Sequence, residues 1–136
     1  MSRRSINILL GTAALVLGCG LYVLFRSSTY VAGVFSGFQW IRFLREWLAP
    51  FACGFLKFWL PDFLWGFSFG CYLQAIYLPK GKAALLLGGI SLVFGILWEL
   101  MQYFAVVPGT GDVLDILLYF LASIICTLIN LKERAT

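Results

Sequence analysis

Histidine is absent from the 136 residues, and charge of either sign is scarce: six acids and ten bases, 12% of the chain. The missing imidazole removes histidine-based nucleophilic triads, histidine proton relays and most zinc sites. The shortage of charge, set against 62% hydrophobic and 18% aromatic residues, excludes the polar surface that a soluble domain shows to water. Cysteine is sparse too. Cys19, Cys53, Cys71 and Cys126 lie far apart in apolar surroundings, so they read as small packing residues, and nothing in their spacing argues for a disulfide. A phosphate-binding loop is also missing, because no lysine follows the glycines of "PGTGD" at 108–112. No cofactor and no nucleic-acid partner are expected.

What the chain does have is long apolar runs. Four stretches, at about 6–25, 60–78, 83–107 and 113–131, approach or exceed the ~20 residues needed to cross a hydrocarbon core of roughly 30 Å. The first holds no charge, the second holds Asp62 near its start, the third holds Glu99 alone, and the last holds Asp115 near its start. Lipid offers no partner to unpaired backbone groups, so such runs are helices. The expected fold is therefore all-α, one membrane domain over 1–136 with four transmembrane helices. At the N-terminus, Arg3, Arg4 and "VLGC" at 16–19 loosely resemble a cleaved leader, but the apolar run continues to Arg26, which favours an uncleaved first span.

The segment 27–59 has another character. In "GFQWIRFLREWLAPF", Gln39, Arg42, Arg45 and Glu46 recur at helical spacing opposite Trp40, Ile41, Phe43, Leu44, Trp47 and Leu48. That pattern predicts an amphipathic interfacial helix between the first and second spans, with Trp40 and Trp47 at headgroup depth and Arg42 and Arg45 reaching lipid phosphates. With four spans, both termini share a side with the "PKGK" turn at 79–82. That side carries six bases, Arg3, Arg4, Lys80, Lys82, Lys132 and Arg134, against four on the other, Arg26, Arg42, Arg45 and Lys57. The positive-inside rule then places both termini in the cytoplasm. Glu46, Asp62, Glu99, Asp112 and Asp115 fall on or toward the outer side.

Small and polar residues recur along one stripe of each span. They are Gly11, Ala14 and Gly18 in the first; Asp62, Gly66, Gly70 and Gln74 in the second; Gly88, Ser91, Gly95, Glu99 and Gln102 in the third; and Asp112, Asp115, Tyr119, Ala122 and Cys126 in the fourth. Helices approach closely at small residues, and polar ones avoid lipid by facing each other, so the stripes point into one shared interior. If the third helix runs to Val107, Glu99 lies about 12 Å beneath the outer boundary, where an ionised carboxylate is costly. Gln102, one turn further out, is placed to hydrogen-bond it. Asp62, Asp112 and Asp115 admit two readings: helix caps and dipole partners, or members of an acidic cleft with Glu99.

From Trp98 to Thr127 the chain resembles the VanZ-like family of small bacterial membrane proteins. Glu99, Gln102, Pro108, Gly109, Asp112 and Asp115 match the family's Glu-x-x-Gln, Pro-Gly turn and paired aspartates. Asp62 opens a second matching stretch in "LPDFLWGFSF". Thr110, Tyr119 and Ala122 replace the family's usual arginine, asparagine and glycine. The resemblance implies a multi-pass protein of the bacterial cytoplasmic membrane that modifies envelope properties or susceptibility to glycopeptides of the teicoplanin type. Its partners would be membrane lipids, a lipid-linked envelope precursor or a lipoglycopeptide, held in an outward cleft by Glu99, Gln102, Asp112, Asp115, Asp62 and Gly109. The absence of an obvious nucleophile or base partner favours binding over covalent chemistry, with no catalytic residue assigned. Two alternatives stand beside it: a metal-dependent enzyme on a lipid-linked substrate, with Asp112 and Asp115 holding the cation, and a proton-coupled transporter subunit, which four short spans support only as a homo-oligomer.

Overall fold

The computed structural model describes residues 1–26, 30–35 and 37–132, with the backbone alone at 30–32 and 132. Residues 27–29 and 36 of the interfacial segment, and Glu133 and Arg134 of the charge balance, lie outside them. All regular structure among the described residues is helical. In chain order it runs α1 (Arg3–Phe25), α2 (Tyr30–Phe35), α3 (Gln39–Leu48), α4 (Leu60–Tyr77), α5 (Lys82–Tyr103) and α6 (Val113–Lys132). A 3₁₀ turn at Ala49–Phe51 and a wider turn at Phe55–Trp59 lead from α3 into α4.

Among the described residues three helices are long and apolar enough to cross a membrane, Arg3–Phe25, Lys82–Tyr103 and Val113–Leu131, as expected of a multi-pass membrane protein. The 18-residue α4 is more polar, with Asp62, Ser68 and Gln74 along it. It packs against α1, α5 and α6, and so occupies the middle of the bundle.

The bundle is built inside out relative to a soluble protein. Its interfaces bury Asn7, Gly11, Ala14 and Gly18 of α1, Gly70, Cys71, Gln74 and Ala75 of α4, Ala84, Gly88, Ser91, Gly95 and Glu99 of α5, and Ala122, Ser123 and Cys126 of α6. Leu86, Phe94, Leu117, Phe120 and Leu128 face outward. Lipid tails are as apolar as leucine, so burying leucine gains little there. Close backbone approach and interhelical hydrogen bonds hold the helices instead.

One end of the bundle is stitched by amides. Asn7 Nδ2 donates to Asn130 Oδ1 at 2.7 Å and Asn130 Nδ2 returns a bond to Asn7 Oδ1 at 3.0 Å, joining α1 to α6. Gln74 Nε2 donates to the Ala84 carbonyl at 3.1 Å, joining α4 to α5 across the turn between them. Midway along, the buried Cys71 and Cys126 place their sulfurs 3.7 Å apart between α4 and α6, whereas Cys19 and Cys53 are exposed.

Two expectations need correction. The third helix stops at Tyr103 and does not continue to Val107. Ala105 takes a left-handed φ of 54°, and the amides of Val106 and Val107 fold back onto the Met101 carbonyl, closing the helix end. The second correction concerns Arg45. Its Nε and Nη2 donate to the Val23 carbonyl at 2.9 and 2.7 Å, which caps the end of α1. With Ile41 only 2% exposed, α3 docks on α1 through Ile41 and Arg45 and leaves Trp40, Arg42, Phe43 and Trp47 outside.

Candidate functional site

The end of α1, the turn before α4, the start of α4, the end of α5 and the start of α6 meet at the opposite end from the asparagine pair. Between them lies a cleft of about 550 Å³. Asp62, Gln102, Gly109 and Asp115, all expected there, line it. They are joined by two cations that the sequence offered only as topology markers, Arg26 and Lys57, and by the aromatic rings of Tyr22, Phe58, Trp65 and Trp98. The cleft is thus of mixed charge, two bases against two acids, and not simply acidic.

Local structure explains each position. Arg26 follows the last turn of α1, and its guanidinium fans out over the neighbouring segment. Nε donates to the Lys57 carbonyl at 3.0 Å, Nη1 to the Tyr22 hydroxyl at 2.6 Å, and Nη2 to the Phe58 carbonyl at 3.3 Å. It also stacks 4.6 Å from the Tyr22 ring and stands 3.9 Å from Asp62 Oδ2. Rigid planar donors of this kind suit a fixed anchoring role. Lys57 has its ammonium 5.2 Å from the Phe58 ring and finds no carboxylate among the described residues. The Tyr22 and Trp65 rings stack at 5.5 Å, forming a wall that joins α1 to α4.

The loop from α5 to α6 supplies the other side. Gly109 sits at φ 144°, a backbone region open to glycine, and the Gln102 amide lies so close that any Cβ there would come within 2.6 Å of it. Gln102 therefore packs over the loop and makes no hydrogen bond to Glu99, contrary to the expectation. Asp112 is a cap: its Oδ1 accepts from the Leu114 amide at 3.0 Å at the start of α6, and its residue is exposed. Asp115 is half-buried, and its Oδ1 is shut from solvent with no hydrogen-bond partner.

Glu99 is the largest departure. It is 3% exposed and does not line the cleft. Its Oε2 accepts from the Asp112 amide at 3.1 Å, and the Tyr119 side chain flanks it. With α5 ending at Tyr103, Glu99 lies about 6 Å below the helix end, half the depth expected. It is a clasp between α5 and α6 behind the cleft wall. No group of three or more metal-ligating side chains gathers among the described residues.

The sequence did carry a signal for the missed cation at Arg26: a lone arginine ends one apolar run, and a lone aspartate opens the next. Lys57, inside an aromatic turn, carried none. No family model, curated protein or solved structure matches this chain.

Proposed function

We propose that this is a four-span protein of the bacterial cytoplasmic membrane whose outward cleft binds an envelope amphiphile, in the manner that the resemblance to VanZ-like proteins implies. α4 is the second of the four spans, both termini are cytoplasmic, and α3 lies at the outer surface with Trp40 and Trp47 among headgroups. The bound molecule is a membrane lipid, a lipid-linked precursor or a lipoglycopeptide, and its sequestration alters envelope properties and glycopeptide susceptibility.

The observation that carries this reading is the mixed-charge cleft, in which Arg26, Lys57, Asp62 and Asp115 stand among the rings of Tyr22, Phe58, Trp65 and Trp98, so that charged and apolar groups meet in one concave site as a molecule carrying both requires. Neither alternative has a comparable observation behind it.

The test is susceptibility to teicoplanin in a bacterial host expressing the protein. Wild type raises the inhibitory concentration, and Asp115→Asn, which inserts equally well, brings it back toward the empty-vector level. An unaltered inhibitory concentration in that variant would overturn the reading.

A further inference from the structure

Resting on the reading above, we infer that the part of the amphiphile held in the cleft is a pyranose sugar, taken by Lys57, Asp62, Gln102 and Thr110 through its hydroxyls and by the Trp98 ring through its C–H face.

Lys57, Asp62, Gln102 and Thr110 reach the cleft surface with side chains that make no hydrogen bond to another described residue; Thr110 is exposed and the other three are half-buried. Asp115 is not among them, since its sealed Oδ1 offers a ligand no surface. Asp62 keeps 16% of its side-chain surface and stands 3.9 Å from Arg26, beyond hydrogen-bond range. Lysine only donates, an ionised aspartate only accepts, and glutamine and threonine do both. A hydroxyl also does both, so a polyol serves all four groups as the water it displaces does. Phosphate only accepts, so it meets Lys57 and is repelled at Asp62; an ammonium only donates and reverses the mismatch. Two bases and two acids along the wall cancel in formal charge, which favours a neutral headgroup over either ion.

The rings of the same cleft supply the apolar contact. Tyr22 and Trp65 stack on each other at 5.5 Å, and Phe58 lies against the Arg26 guanidinium and the Lys57 ammonium, so these three are already engaged. Trp98 is 42% exposed, and its ring has no aromatic or cationic partner among the described residues. It stands on α5 four residues before Gln102, which puts indole and amide on one helix face. A pyranose has an apolar C–H face and an edge of hydroxyls, so it calls for a ring against the face and polar groups around the edge. Trp98 with Gln102, Asp62 and Lys57 meets that demand. A tryptophan that only anchors a helix at the membrane surface needs none of those polar neighbours. The cleft's volume of about 550 Å³ lies within the roughly 300–1,000 Å³ of small-molecule sites.

The experiment uses the full-length protein purified in an amine-oxide detergent, because glucoside and maltoside detergents belong to the proposed ligand class. It is equilibrated with equal amounts of monoglucosyl-diacylglycerol, phosphatidylglycerol and phosphatidylethanolamine of one acyl composition, and retained lipid is measured by native mass spectrometry. Wild type should retain the glucosyl lipid about tenfold over either phospholipid. Gln102→Leu, which keeps a side chain packed over Gly109, should bring that ratio near one. Should Gln102→Leu not fold, Trp98→Ala carries the test: the ratio falls toward one, and Trp98→Phe, which keeps a ring, retains most of the preference. A ratio near one in wild type, or a ratio unchanged in both Gln102→Leu and Trp98→Ala, overturns the sugar assignment. Methyl glucoside, titrated against the intrinsic tryptophan fluorescence, separates a lipid headgroup from a free sugar. Saturation only in large excess over the glucosyl lipid is expected of a headgroup whose chains lie in the membrane, and saturation at equal concentration would assign the cleft to a soluble saccharide and overturn the headgroup. The functional reading is judged separately: a susceptibility change in Asp115→Asn without preference for the glucosyl lipid leaves an outward binding cleft whose occupant has another chemistry.

Discussion

At the residue scale, Glu99 and Asp115 exchange the parts that their contexts suggest. A lone glutamate deep in an apolar run looks like the reactive group, yet it is the bonded one, holding the Asp112 amide. The aspartate that looks like a first-turn dipole partner is the one with an orphaned oxygen. This yields a contrast between two substitutions. Glu99→Ala strands a partly buried amide and should lower stability by about 1–3 kcal/mol, whereas Glu99→Gln keeps an acceptor and should lose less. Thermal unfolding in detergent measures both, and limited proteolysis of the loop at 104–112 should speed up in the alanine variant alone. Equal melting of the two would argue against the clasp.

At the scale of helices, the stripes were legible because small and polar residues recur at three- and four-residue steps, and those steps fix a face whatever the partner is. Gly88, Ser91, Gly95 and Glu99 are buried as the spacing requires. The spacing alone did not say which stripe meets which. Tyr119 wedges between Gly66 of α4 and Gly95 of α5, where added Cβ atoms would each come within 2.6 Å of its ring. Gly95→Leu should therefore destabilise the bundle by roughly 1–3 kcal/mol through overpacking, and a second substitution, Tyr119→Ala, should recover part of the loss. Additive losses would mean that the two residues do not meet. The Asn7–Asn130 pair was overlooked because each is a single polar residue near the end of an apolar run. A double-mutant cycle with leucine at both positions should give a coupling of about 1 kcal/mol, as interhelical hydrogen bonds in membranes do. Zero coupling would remove its stabilising role.

At the scale of the whole molecule, the reading rests on α4 crossing the membrane although it is the shortest and most polar of the four long helices. Its polar residues are tolerable because α1, α5 and α6 surround it. Topology follows from labelling one introduced cysteine at a time, with the exposed Cys19 and Cys53 replaced and the buried Cys71 and Cys126 kept. An impermeant maleimide on intact cells should react at Trp47→Cys and Thr110→Cys but reach Lys80→Cys only after permeabilisation. Reaction at Trp47→Cys and Lys80→Cys from the same side would show that α4 does not span.

The sequence by itself determined the solvent of this protein, the helical class and the inward face of each long helix, because these depend on composition and on local periodicity. It also marked Asp62, Gln102, Gly109 and Asp115 as residues of one end. Only the tertiary structure decided that α5 stops at Tyr103, that Glu99 is a clasp and Asp112 a cap, and that Arg26 and Lys57 turn an acidic cleft into one of mixed charge. Those facts depend on where chain segments far apart in sequence come to rest, with Arg26 reaching 31 residues to Lys57 and Glu99 accepting from an amide 13 residues on, and no periodicity in a single helix encodes such distances.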